Sequence, residues 1–238
     1  MKKINFLFLG SARCFHTEDW YYCAKTLEAD NNLSVHFVYD QFEGEGQKTF
    51  LQGNDSKFSL INIDKLLPNS VSTVSNKWRN VLKLLLLPVQ AIILRRILSK
   101  FDGPVIIHAH STYYGCLASF TGAKYISTPQ GSEVLVRLKS FLYSHTHANF
   151  VTVDSAAMKA KLNEFLGLDS YVIQNGINVD KLSKYRDFDG KYRILSMRGI
   201  APNYRILEIL AQADSIKPNV ISVCCPFVES DYYSNVLD

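Results

Sequence analysis

Cysteine is scarce and carries no pairing pattern: Cys14, Cys23, Cys116, Cys224 and Cys225 are an odd set of five with no C-x-x-C spacing. That excludes a disulfide framework and points to reduced thiols, with Cys224 and Cys225 expected as small apolar residues on a buried strand. Glycine and proline, at 12 and 7 residues, are too few for a collagen-like or low-complexity chain, and no repeat of fixed period is present. No apolar run approaches the roughly 20 residues that a membrane-crossing helix needs. The longest, Leu84 to Leu94, is interrupted by Pro88 and Gln90. The opening MKKINFLFLG imitates a signal peptide, but its apolar part, Ile4 to Leu9, is short and Gly10 follows without a small-x-small site. A first buried strand is the expected reading. No G-x-G-x-x-G occurs, so the nicotinamide and flavin fingerprint is missing and no cofactor is called for.

What is present is a 238-residue chain that is 47% hydrophobic, with 26 basic and 22 acidic side chains. This predicts a packed globular protein of about one and a half domains. The positive charge is concentrated. Lys77, Arg79, Lys83, Arg95, Arg96 and Lys100 fall in one segment with no acidic residue, and outnumber the whole-chain net of +4. Two readings stand for the helix expected over Lys77–Lys100: a core-packing helix with a solvated basic end, or a helix against an anionic membrane surface. Nucleic acid is not an expected partner, because the charges are few and not interleaved with aromatics.

Short β-rich runs are expected near Ile4–Leu9, Ser34–Tyr39, Phe58–Ile63, Pro104–His108, Lys124–Thr128, Asn149–Val153 and Tyr171–Ile173. Helices are expected near Thr17–Ala29, Lys77–Lys100, Thr112–Phe120, Glu133–Ser144 and Ser155–Leu166. This alternation predicts an α/β, Rossmann-like doubly wound domain with a mainly parallel sheet. After the Asn175-Gly176 turn comes a polar stretch to Lys191, then a fresh strand Tyr192–Met197, a helix near Asn203–Asp214 and a strand Val220–Cys224. The expected organisation is therefore a domain over 1–175, a linker over 176–191 and an incomplete second α/β unit over 192–238.

Ligands of open α/β sheets bind beyond the carboxyl ends of the strands, and four such places are polar without a packing reason. The first is Gly10 to Asp19, including Arg13 and His16, with Thr17 expected as a helix N-cap. The second is His108-Ala-His110-Ser-Thr-Tyr-Tyr-Gly115, where strand alternation puts both imidazoles on one face about 7 Å apart. One of them is expected to be held by backbone and the other to face a ligand. The pair, with His145-Thr-His147, could also ligate metal, but no carboxylate set accompanies them, and no metal is expected. The third is Thr128-Pro-Gln130-Gly131-Ser132-Glu133, where Gln130 and Glu133 suit a hydroxyl-rich ligand. The fourth is Arg198-Gly199 to Arg205, suited to phosphate.

In order, HAHSTYYG, TPQGSE, VTVDS, IQNGIN and LSMRGIAPNYRI resemble the family-4 glycosyltransferases of the GT-B fold, in which two Rossmann-like domains face each other across a cleft. The resemblance spans nearly the whole chain and looks closest to members of surface-polysaccharide assembly. It implies acceptor binding by Gly10, Arg13, His16, His108, His110, Gln130, Gly131 and Glu133. It implies donor binding by Asn175, Arg198 and Arg205. Gln130 stands where the family often has histidine, Gln174 where it has the proline of PNGID, and Met197 where it has the glycine before its phosphate-binding arginine. The family's Glu-x7-Glu donor element has no counterpart among the glutamates here.

The implied reaction is sugar transfer from a nucleotide sugar to a saccharide or lipid-linked saccharide acceptor, with retained anomeric configuration and no metal. The implied location is cytoplasmic, at the inner face of the cytoplasmic membrane. The chain would hold an intact acceptor-side domain, the hinge and a truncated start of the donor domain. Two rivals remain: a non-catalytic chain that binds an acceptor or another subunit, and a metal-dependent hydrolase using the two H-x-H pairs.

Overall fold

A computed structural model describes residues 2–12, 15–29, 31–40, 56–66, 76–135, 143–174, 194–196, 207–208, 210–211 and 221–223. The chain divides into two compact units, Met1–Ile177 and Asn178–Asp238. In the first, the described elements are β1 (Ile4–Gly10), α1 (Phe15–Thr26), β2 (Leu33–Tyr39), β3 (Lys57–Ser59), α2 (Asn76–Leu98) and β4 (Val105–His110). They continue with α3 (Thr112–Ser119), β5 (Lys124–Thr128), α4 (Gly131–Leu135), α5 (Tyr143–Thr146), β6 (Phe150–Val153), α6 (Ala156–Leu166) and β7 (Tyr171–Val172). The seven strands form one parallel sheet in the order β3-β2-β1-β4-β5-β6-β7. This is the Rossmann-like, doubly wound arrangement expected from the sequence, and the strand order reverses between β1 and β4.

The strands read as apolar runs because both faces of the central sheet are covered. On one face Leu7, Leu9, Val38, Ile107 and Ala109 pack with Leu87, Ala91, Leu94 and Ile97 of α2 and with Leu117 and Ala118 of α3. On the other, Phe8, Val35 and Phe37 pack with Tyr21, while Trp20 adds a partly buried edge. Val151 and Val153 meet Val134 of α4 and Met158 and Leu162 of α6. Each fully buried aliphatic side chain among these stabilises the fold by about 1.5–3 kcal/mol. Ser155 caps α6 by accepting from Met158 N at 3.3 Å, and Gly167 ends it in the left-handed conformation.

Several boundaries differ from the sequence reading. β3 stops at Ser59 rather than Ile63, because one more ladder bond to β2 is made and the Ile61 backbone is then taken by a side chain of α2. Leu60 N donates to Tyr39 O, and the buried Gln90 amide both accepts from Ile61 N (3.0 Å) and donates to Ile61 O (2.9 Å). Gln90, which interrupts the apolar run of α2, thus ties that helix to the chain after β3. The α1 helix begins at Phe15, so Thr17 lies inside its first turn, buried, and is not the N-cap. β4 runs on through His110, which places both histidines within the strand. The helix expected over Glu133–Ser144 is described as α4 and α5, with 136–142 outside the described residues.

The second unit shows β8 (Ile194–Ser196) and β9 (Ile221–Val223) paired in parallel, at the two positions where strands were expected. Of the helix expected over Asn203–Asp214, residues 207–208 and 210–211 are described and helical. Cys224 and Cys225 lie outside the described residues.

Candidate functional site

The strand order reverses between β1 and β4, the position at which open α/β sheets bind ligands, and Gly10 and His110 lie side by side there at the carboxyl ends. A side chain at Gly10 would bring its Cβ to 2.8 Å from Thr17 Cγ2 and 3.4 Å from His110 Cβ. Glycine is therefore what lets α1 approach the ends of β1 and β4. Next along β4, Ser111 adopts φ 91 and ψ 158, a backbone region that glycine alone enters cheaply. It is the one non-glycine residue with positive φ among those described. Its backbone is held at both ends: Ser111 N donates to Thr128 O (2.8 Å) and Ser111 O accepts from Gly115 N (3.0 Å). Relief of the strain is worth about 1–3 kcal/mol, of which the extra chain freedom of glycine cancels about 0.5–1 kcal/mol. Ser111→Gly is thus expected to raise the unfolding free energy by about 1 kcal/mol, read as a higher urea midpoint. An unchanged or lower midpoint would show that the serine side chain compensates the strain.

Both faces of β4 and β5 carry polar networks. On the face that meets α1, His108 and His110 have ring centroids 4.4 Å apart and both are buried. His108 Nε2 hydrogen-bonds Thr128 Oγ1 at 2.7 Å, and that hydroxyl bonds Thr152 Oγ1 at 2.6 Å. His108 is therefore held by a side-chain hydroxyl on β5, not by backbone as expected from the sequence. Phe6, Phe8 and Trp20 surround its ring, and burial lowers its pKa to about 3.

On the opposite face, His145 of α5 is bracketed by two hydroxyls, Ser127 Oγ at 2.8 Å from Nδ1 and Thr112 Oγ1 at 3.3 Å from Nε2. Burial lowers its pKa to about 4. The α3 helix fits against this network because residue 115 is glycine. A Cβ there would lie 2.7 Å from Ser127 Oγ and 3.3 Å from Ser144 Oγ. His145 therefore sits on the opposite face of the sheet from His108 and His110. Among the described residues, no three His, Cys, Asp or Glu side chains converge as a metal site would require.

Glu133 joins the two loops that follow β4 and β5. Its Oε2 accepts from Gln130 N (2.8 Å), Thr112 N (2.9 Å) and Thr112 Oγ1 (3.0 Å). The first bond is half of a capping box on α4, with Gln130 as N-cap; the others cap α3 from outside its own sequence. Gly131 and the half-buried Gln130 stand beside this clamp.

A further group was not picked out from the sequence. Asp40, buried directly after β2, accepts from the Tyr114 hydroxyl, which also hydrogen-bonds Ser11. Burial first, then the Asp40 charge, hold the Tyr114 phenol well above its ordinary range. An acidic residue ending the run VHFVYD is the same carboxyl-end signal that marked the other loops.

Of the residues named from sequence, Gly10, His108, His110, Gln130, Gly131 and Glu133 come together at the carboxyl ends of β1, β4 and β5. Arg13, Asn175, Arg198 and Arg205 lie outside the described residues, as does the side chain of His16.

A parallel sheet with reversed strand order, whose polar loops gather at its carboxyl edge, defines a Rossmann-like α/β protein. The sequence pattern of glycosyltransferase family 4 matches residues 22–181, more than half of the 238, and the chain belongs to that family. A search of curated proteins gives no match. Among solved structures, the fold is similar to a protein from Listeria monocytogenes described as a UDP-N-acetylglucosamine 2-epimerase, with TM-score 0.60 at 12% identity, covering 100% of this chain and 66% of that one. The chain thus spans just under two thirds of that protein's length. It is also similar to Phytolacca americana UGT2, complexed with UDP-2-fluoro-glucose and pterostilbene, with TM-score 0.53 at 12% identity over 98% of this chain and 70% of that one. The N-terminal domain of Candida albicans trehalose-6-phosphate phosphatase gives TM-score 0.55 at 11% identity over 100% and 75%.

Proposed function

We propose that this chain takes part in transfer of a sugar from a nucleotide sugar to a saccharide or lipid-linked saccharide, in assembly of a cell-surface polysaccharide at the inner face of the cytoplasmic membrane. The observation that carries the reading is the gathering of Gly10, His110 and the Gln130-Gly131 loop at the carboxyl ends of β1, β4 and β5, where the strand order reverses, in a chain of this family. The acceptor sits there, with Gln130 bonding its hydroxyls and Arg13 and His16 also contributing to its binding. His108 and Glu133 hold the strand ends and loops in register, since their described bonds go to the protein. Asn175, Arg198 and Arg205 meet the donor diphosphate, where guanidinium groups neutralise the leaving phosphates.

The test is transfer of labelled sugar from a panel of nucleotide sugars into lipid extract, measured with the full chain. Gln130→Ala is expected to lower transfer by about tenfold or more, the scale of one lost oriented hydrogen bond to a polar substrate, with its melting temperature unchanged. Full transfer by that variant would remove Gln130 from the acceptor site. Acceptor binding with no transfer from any donor would overturn the transferase reading.

A further inference from the structure

A polar cluster is buried among α3, α5 and β5, where apolar packing would be the cheaper solution. Ser127 and His145 are wholly buried and Thr112 is 5% exposed, while Glu133, at the end of the cluster, is half-buried. Every polar group taken out of water here costs free energy unless it is paired. The fold nevertheless makes room for the cluster. Gly115 leaves space for the Ser127 hydroxyl, and the Tyr125 hydroxyl donates to Ser144 O and so anchors α5.

The direction of each bond in the cluster is fixed. Glu133 Oε2 accepts from two backbone N–H groups, so the Thr112 hydroxyl donates its single proton to the same oxygen. The Thr112 oxygen is then left to accept, which puts a hydrogen on His145 Nε2, 3.3 Å away. Burial lowers the His145 pKa to about 4, so the ring is neutral near pH 7, and its bare Nδ1 accepts from the Ser127 hydroxyl at 2.8 Å. Ser127 donates to His145, His145 to Thr112 and Thr112 to Glu133, and hydrogen bonds aligned head to tail strengthen one another. The chain ends at the carboxyl edge of the sheet. Glu133 Oε2 there holds Gln130 N after β5 and Thr112 N after β4, directly beside the strained Ser111.

We infer that His145 is a positioning residue of the proposed acceptor site: with Ser127 and Thr112 it forms a one-way hydrogen-bond chain that fixes the Glu133 carboxylate, and through it the loops after β4 and β5. The ring touches no substrate. It acts by keeping the Thr112 hydroxyl aimed at Glu133, so that Gln130 meets the acceptor in one orientation.

Long-range proton–nitrogen spectra and amide exchange of the full chain, together with transfer kinetics, test this. In the unaltered protein the His145 hydrogen is expected on Nε2. His145→Asn places its amide nitrogen where Nδ1 was and cannot reach Thr112, whereas His145→Gln places it where Nε2 was and can donate there. In His145→Asn the amides of Thr112 and Gln130 are expected to exchange about fivefold faster relative to that of Lys159 in α6. The acceptor KM is expected to rise about tenfold with the donor KM unchanged. His145→Gln is expected to return both toward wild-type values. Equal acceptor KM in the two variants, or exchange that quickens equally at Lys159, would mean that the imidazole only fills space and overturns the inference. A hydrogen on Nδ1 of the unaltered protein overturns it too, however the variants fold. The inference rests on the proposed acceptor site only for what the loops bind. Tautomer and exchange are measured without substrate, so a chain that transfers no sugar still passes or fails them.

Discussion

Between pH 6.5 and pH 4.5 the protein is expected to lose stability on the order of 5 kcal/mol, the combined effect of two histidines that the fold keeps neutral. Burial lowers the pKa of His108 to about 3 and that of His145 to about 4, against about 6.5 in the unfolded chain. Below pH 6.5 the unfolded state takes up two protons that the folded state refuses. Stability is therefore complete above pH 6.5 and falls with pH at about 1.4 kcal/mol per unit for each imidazole. The His145 contribution is lost down to about pH 4 and the His108 contribution down to about pH 3. His36, its pKa lowered by burial and then by Lys25, acts in the same direction. A loss of this size consumes much of the 5–15 kcal/mol that ordinary domains possess. Urea unfolding at pH 7.5, 6.5, 5.5 and 4.5 checks it, and His145→Asn should halve the slope. A flat profile would mean that both imidazoles ionise inside the folded protein.

The strand positions were legible because parallel strands covered on both faces are written as apolar runs. The ends of those strands were less so. β3 is cut short by Gln90, a residue in another element about thirty positions later, and no local pattern carries that bond. At the site, period-two alternation placed His108 and His110 on one face. It could not supply Thr128 and Thr152, which meet His108 only through the register of three neighbouring strands. The capping-box spacing of Gln130 and Glu133 was open to local reading. The bonds from Thr112 to the same carboxylate needed the β4–β5 pairing. Ser111 gave no warning, since a serine carries none of the glycine signal for positive φ. The Lys77–Lys100 segment was read as a basic, strongly apolar helix, yet which of its apolar residues stay exposed was not legible. A helix apolar nearly all round does not say which face will be packed.

The Glu133 clamp separates support from contact in one residue. Glu133→Ala removes the acceptor of three hydrogen bonds and uncaps two helices at once. Bonds to a charged group are worth about 1.5–3 kcal/mol each and caps about 1 kcal/mol. The three share one oxygen, and Glu133 is only half buried, so water recovers part of the loss. A net destabilisation of about 3 kcal/mol is expected, near 9 °C in melting temperature for a unit of this size. Glu133→Gln keeps an acceptor oxygen in the same place and should cost about 1 kcal/mol, the difference between a charged and a neutral acceptor. If Glu133 acts by holding the loops after β4 and β5, the glutamine variant retains most of the sugar transfer that the alanine variant loses. If instead its carboxylate touches the acceptor, as the family resemblance implied, the glutamine variant melts almost like wild type and yet transfers poorly. Melting curves and transfer rates on the same two proteins distinguish these outcomes. The three bonds already made by Oε2 favour the first.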